Sequence, residues 1–156
     1  MEIRRFHSFD ELDKAKFTCL IESGFGKKLV PDYFEYANPV LICLAESGGS
    51  YAGAIVVEQI PEIEDAYYLD KIVVEEEAQG QGIGKLLWAE LNGHAPKLAW
   101  RAKKDNPIIE FYAKQADTVI SFPKGSDYIF FFYGIKVQDI QKALEYAINK
   151  KPTLLK

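Results

Sequence analysis

A chain of 156 residues that is 48% hydrophobic is long enough to bury its own core, and the expectation is one domain over residues 1–156. A net charge of −4 argues against a generally basic surface of the kind that coats nucleic acid or an anionic membrane, so a site for a polyanion must be locally basic. Two cysteines, Cys19 and Cys43, lie in apolar stretches without metal spacing, the start lacks an apolar signal region, and no apolar run approaches the ~18 residues of a membrane span; a cytoplasmic, reduced, metal-free protein is expected.

In chain order, residues 3–6 read as a short strand. Ser8 and Glu11 have the spacing of a capping box, opening a helix through Leu12, Ala15, Phe17, Leu20 and Ile21 that Gly24 and Gly26 end. A short helix is expected over 31–36, then a hairpin of strands 40–46 and 51–60 around Gly48 and Gly49. Residues 66–74 are the third main strand, 83–91 a helix, 97–103 a fourth strand and 107–115 another helix. After a polar loop come an aromatic strand, 127–135, and a closing helix, 137–150. The aromatic run 130–133 reads as core filling, or as an edge offered to a partner's sheet. This succession predicts an α+β fold, a mixed sheet with a parallel strand-helix-strand at its middle.

The connection from the third main strand to its helix is the most informative segment. Gly80, Gly82 and Gly84 free the backbone from Cβ clashes, and the helix that follows aims unpaired N–H groups and the positive end of its dipole at the turn. A phosphate suits such a turn. It is not a Walker loop, because Gly80 and Gly84 are separated by three residues and Lys85 is followed by Leu86, which has no hydroxyl. It is not a dinucleotide fingerprint, because Lys85 stands where the third glycine belongs. A ligand-free glycine-rich connection is the alternative, against which three glycines carry an entropic cost. The pattern Gln79-x-x-Gly82-x-Gly84 after Val73 and Val74 resembles the acetyltransferases of the GNAT superfamily. That resemblance implies a splayed parallel strand pair, and it implies that Val73, Val74, Gln79, Gly80, Gln81, Gly82, Ile83, Gly84 and Lys85 bind acetyl-CoA.

A second constellation runs from Trp100 to Asp117. On a strand, Arg101 and Lys103 share a face, opposite Trp100 and Ala102. Lys71, a cation among Leu69, Ile72 and Val73, is expected to face a cleft. Asn106 and Pro107 suit a helix N-cap and first helical position, and Phe111 and Tyr112 suit a core-facing helix side.

Together, LDKIVV, QGQGIGKLLW, WRAKKDNPIIEFY, FFFYGI and IESGFGKKLVPDYFE resemble the acetyltransferase domain of N-acetylglutamate synthases of the bifunctional and animal type, over nearly the whole chain. The resemblance implies that Lys71, Arg101 and Lys103 hold the carboxylates of L-glutamate. It also implies that Asn106 serves the amine and Tyr112 the leaving thiolate. Lys103 stands where the family has arginine, so a planar fork becomes a point charge. Ile109, Glu110 and Phe111 replace Asn-Pro-Trp. No amino-acid kinase domain lies in these residues, so arginine feedback is not expected within them. The expected chemistry is direct attack of the amine on the thioester, with the base a water on Asn106 or a carboxylate such as Glu75. A different acidic amine, succinyl-CoA as donor, or a non-catalytic module binding acyl-CoA or glutamate remain alternatives. Expected partners are small molecules, with a homodimer or a separate acetylglutamate kinase as the protein partner.

Overall fold

The structure is a computed structural model that describes residues 1–121 and 126–155. Seven strands, β1 (Glu2–Phe6), β2 (Pro39–Ser47), β3 (Ser50–Gln59), β4 (Ala66–Val74), β5 (Lys97–Lys103), β6 (Thr118–Ile120) and β7 (Tyr128–Tyr133), form one mixed sheet in the order β1-β2-β3-β4-β5-β7-β6. The α-helices are α1 (Lys14–Phe25), α2 (Tyr33–Tyr36), α3 (Ile83–His94), α4 (Ile109–Gln115) and α5 (Ile140–Ile148). The chain divides into two compact units, the first Met1–Glu58, Asp70–His94 and Lys151–Lys156, the second Gln59–Leu69 and Ala95–Lys150.

In the first unit β1 pairs antiparallel with β2, and β2 with β3 through a two-residue turn at Gly48 and Gly49, whose φ of 58° and 82° are the left-handed values a tight hairpin needs. The capping box is present: Ser8 Oγ accepts from Asp10 N–H at 3.2 Å, and Glu11 Oε2 accepts from Ser8 N–H at 3.3 Å. It caps only a single 3₁₀ turn, Phe9–Glu11, because Leu12 is extended; α1 starts afresh behind Asp13, whose carboxylate accepts from Lys16 N–H at 3.0 Å. The core joins Phe9, Phe17, Leu20, Ile21, Tyr33, Ile42, Leu44 and Val73.

The helix α1 runs through Gly24, expected to end it, and stops at Gly26, which is left-handed at φ 67°. Gly24 is required by close approach instead: a Cβ there would overlap Val73 Cγ2 and lie 2.9 Å from the Val74 carbonyl oxygen. Gly24→Ala is therefore expected to lower the thermal midpoint. Overpacking of about 1–3 kcal/mol outweighs the ~1 kcal/mol that alanine gains by helix propensity. An unchanged or higher midpoint in thermal unfolding would refute the close approach.

In the second unit the parallel pairing of β4 with β5 covers Ala66–Tyr68 against Lys97–Ala99. Antiparallel to β5 runs β7, from Leu98↔Tyr133 to Lys103↔Tyr128, and β6 pairs with β7. The polar loop expected after residue 115 thus contains a strand. With only three residues, β6 carries too short an alternation to be read, and residues 122–125 of that loop lie outside the described residues. The closing helix begins at Ile140 after a 3₁₀ turn, Val137–Asp139. Ile60, Ile63, Ala66, Tyr68, Ala99, Phe130, Phe132 and Ile135 form this unit's core, so most of the aromatic strand fills the interior. Among the described residues no helix is long and apolar enough to cross a membrane.

Candidate functional site

The glycine-rich turn belongs to the first unit. Strand β4 ends at Val74, and two tethers fix the chain beyond it: Glu75 N–H donates to Ala52 O at 2.8 Å, and Gln79 Nε2 donates to Val74 O at 3.1 Å. Gln79 is thus committed to shaping the turn. Gly80 and Gly82 have φ of 88° and 84°, and a Cβ on either would meet nothing within 4 Å. Backbone conformation, not crowding, demands glycine at both, and the space beside them is open. The first helical bond of α3 is Leu86 N–H to Gly82 O at 3.2 Å. The N–H groups of Ile83, Gly84 and Lys85 therefore precede any acceptor within the helix. Ile83 is buried and anchors the helix start, whereas Gln81 and Lys85 are exposed. Gly84 has an ordinary φ, and its Cβ would touch only Val74 Cγ2, at 3.9 Å. The protein's own packing does not require a glycine there. A first helical turn whose N–H groups have no acceptor within the helix, beside an exposed lysine, has the donors and the charge to hold an anion.

Also in the first unit is Lys71, a cation expected to face a cleft. It is instead 4% exposed, because its ammonium is gathered inward: Nζ donates to Thr153 Oγ1 and sits 5.1 Å and 5.7 Å from the ring centres of Tyr33 and Phe25. Aromatic faces and a hydroxyl contribute to making burial of this cation tolerable. The Tyr33 hydroxyl donates to Asp70 Oδ2 at 2.7 Å; burial first, then Asp70, pushes that phenol well above its ordinary pKa. Glu58, also 4% exposed, accepts from Asn38 N–H at 3.1 Å.

Arg101, Lys103, Asn106 and Tyr112 belong to the second unit. Along β5 burial alternates as expected, with Trp100 and Ala102 buried and Arg101 and Lys103 partly exposed. Arg101 is held in place: Nη1 donates to Ala147 O at 3.0 Å near the end of α5, and the guanidinium stacks 4.1 Å over Tyr128. Asn106 caps a turn one step before the helix. Its Oδ1 accepts from Ile108 N–H at 3.0 Å and its carbonyl from Ile109 N–H at 3.2 Å, so α4 starts at Ile109 rather than 107. Tyr112 is 7% exposed, edge-on to Trp100 and Phe131 at 6.0 Å and 5.5 Å. Burial raises its phenol far above the ordinary range, so it keeps its proton throughout the neutral region.

Neither cysteine joins these groups. Burial, aided by Glu90, pushes the Cys43 thiol up to about 11, so it is no thiolate at neutral pH. Cys19 is exposed, on a groove of about 380 Å³ with Lys16, Ser50, Tyr51 and Glu75. Sequence reasoning missed Gly24, Tyr33 and Thr153. Gly24 gave a signal, a glycine two residues ahead of a better helix stop; Thr153, in a polar tail of no clear period, gave none.

The family model of the N-acetyltransferase of N-acetylglutamate synthase matches residues 4–151. An acetylglutamate kinase of Xanthomonas campestris is 34% identical over 98% of this chain, and the mitochondrial N-acetylglutamate synthase of Mus musculus 36% identical over 94%. The chain spans 35% and 27%, respectively, of the lengths of these two relatives. Among solved structures, a diaminobutyrate acetyltransferase from Paenibacillus lautus, in complex with L-2,4-diaminobutyric acid and coenzyme A, superposes with a TM-score of 0.63 at 17% identity, over 84% of this chain and 93% of that one. The architecture is the GNAT acyltransferase fold that the glycine-rich turn led one to expect.

Proposed function

Because the chain belongs to the N-acetyltransferase family of N-acetylglutamate synthase, we propose that it transfers the acetyl group of acetyl-CoA to the α-amine of L-glutamate, an acetylation that serves arginine biosynthesis. One observation carries the coenzyme half of this reading: two left-handed glycines open onto bare space directly ahead of three N–H groups of α3 that have no acceptor within the helix. In this role the N–H groups of Ile83, Gly84 and Lys85 take the pyrophosphate, Gly80, Gln81 and Gly82 form the wall of the cradle, and Gln79 holds its shape. Val73 and Val74 lie along the thioester arm, and their main chain supplies the oxyanion donors. One such donor is worth about 2.7–4 kcal/mol in a transition state.

For the acceptor, Lys71, Arg101 and Lys103 are the carboxylate ligands. Asn106 donates from its amide N–H₂ to a water beside the amine, while its Oδ1 accepts from Ile108 N–H. The neutral amine attacks the thioester carbonyl and forms the C–N bond, and the tetrahedral intermediate expels the thiolate as the C–S bond breaks. The nitrogen gives up one proton to the base, a water on Asn106 or a carboxylate such as Glu75, and the thiolate takes up one proton, leaving the amide and the free thiol. A phenol that stays protonated suits Tyr112 as hydrogen-bond donor to that sulfur. Tyr112→Phe is expected to lower kcat by about 10²-fold with both KM values little changed. Unchanged turnover would remove Tyr112 from the reaction.

Release of free thiol across amino acids and acyl-CoA donors tests the whole reading, with glutamate and acetyl-CoA expected to give the highest kcat/KM. Preference for another acidic amine or for succinyl-CoA would reassign the substrate. Binding without thiol release would make the chain a regulatory module. The kinase relative supports a separate acetylglutamate kinase as partner, and gel filtration with and without it separates that assembly from a homodimer.

A further inference from the structure

Within the second unit, β5 and β7 set two polar side chains directly opposite each other. Lys103 pairs with Tyr128 across the antiparallel ladder, as Arg101 pairs with Phe130, so Arg101, Lys103 and Tyr128 share one face of the sheet. Side chains opposed in this way start from Cβ atoms about 4.5–5.5 Å apart. Both Lys103 and Tyr128 are partly buried. Among the described residues, however, the Tyr128 hydroxyl makes no hydrogen bond, and the Lys103 ammonium makes neither a hydrogen bond nor an ion pair. We propose that Tyr128 is a further substrate-binding residue, whose phenol donates a hydrogen bond to the acceptor carboxylate that the Lys103 ammonium attracts. This rests on the reading of Lys103 as a carboxylate ligand.

Main chain and ring of Tyr128 are both fixed. Its N–H donates to Ser126 Oγ at 3.2 Å, its ring lies 6.4 Å from that of Phe130 and packs on this unit's core, and the Arg101 guanidinium stacks 4.1 Å from the ring centre. A lysine ammonium on four methylenes supplies charge without direction. A phenol at the tip of a fixed ring adds a directed donor. Its bond to a carboxylate oxygen is charge-assisted, whereas a carboxamide oxygen in the same place is neutral and accepts more weakly. The pair therefore favours a carboxylate over its amide more sharply than the cation does by itself. Because the stack uses the ring and not the hydroxyl, phenylalanine at this position removes the donor alone.

The test is Tyr128→Phe. Loss of a hydrogen bond to a charged group is expected to raise the glutamate KM about tenfold, with the acetyl-CoA KM within about twofold. Glutamine and the α-amide of glutamate each replace one carboxylate by a neutral amide. The preference for glutamate over one of them, as a ratio of kcat/KM values, is expected to fall about tenfold in the variant, and that amide identifies the carboxylate concerned. A general loosening of the site would slow all three substrates together and leave both ratios as they were. An unchanged glutamate KM, an equal rise in both KM values, or two unchanged ratios overturns the proposal. Calorimetry with glutarate, a dicarboxylate without an amine, reads the same contact without turnover, and about tenfold weaker binding to the variant is expected. Should the unaltered protein release no thiol with glutamate, the substrate reading fails by itself, and the glutarate affinities still decide whether Tyr128 meets a carboxylate. Equal affinities, or no glutarate binding by either protein, would then overturn it.

Discussion

Alanine at Gly84 is expected to leave the protein at least as stable and to weaken coenzyme A binding at least tenfold. Two facts set the opposite signs. Inside the protein, a Cβ at this position meets only Val74 Cγ2 at an ordinary 3.9 Å, and φ is unexceptional. Alanine should therefore fit without strain and favour the helix by up to ~1 kcal/mol. Outside the protein, the same methyl group would project from the first turn of α3, where a pyrophosphate must come within hydrogen-bond distance of main-chain N–H groups. Displacing it enough to lose one charge-assisted hydrogen bond costs about 1.5–3 kcal/mol, or roughly 10- to 150-fold in affinity. Isothermal calorimetry with coenzyme A and a thermal melt are read together. Gly48→Ala, in a left-handed hairpin turn at φ 58°, is the control for backbone strain without a ligand. If Gly84→Ala binds coenzyme A as well as the unaltered protein, the cradle is not the pyrophosphate site.

The strand, turn and helix around these glycines were legible because their signal is local. Gly80, Gly82 and Gly84 stand within five residues between a strand and a helix whose periods are both clear, so the order strand, turn, helix follows from sequence alone. The same locality made the bounds of β4 and β5 agree with expectation. What failed depended on contacts distant along the chain. Gly24 reads as a helix stop unless one knows that Val73, almost fifty positions on, lies against it. Lys71 reads as a cleft-facing cation unless Tyr33, Phe25 and Thr153 are known to surround it. Asn106 shows an intermediate case, where a capping residue was foreseen and the helix still begins two residues late, because its side chain closes a local turn first.

The roles in the second unit lead to the other large effect: Arg101→Ala is expected to raise the glutamate KM by roughly 10²-fold while leaving the acetyl-CoA KM within a few-fold. Truncating one side of a desolvated charge pair costs about 2–5 kcal/mol, and the guanidinium is a five-donor fork that donates to Ala147 O through Nη1. The stack on Tyr128 at 4.1 Å and the bond to α5 keep the guanidinium from rotating, so its orientation is set before any carboxylate arrives. Arg101→Lys separates charge from geometry. Lysine keeps the positive charge but has neither the planar fork nor the stack, and recovery of only a small part of the lost affinity is expected. Lys103→Arg supplies the reverse comparison, because a point charge there becomes a fork and the glutamate KM should fall. Equal effects of Arg101→Ala on both substrates would assign the guanidinium to the coenzyme phosphates. No effect on either would leave Arg101 as the structural brace that its bond to α5 and its stack on Tyr128 already make it.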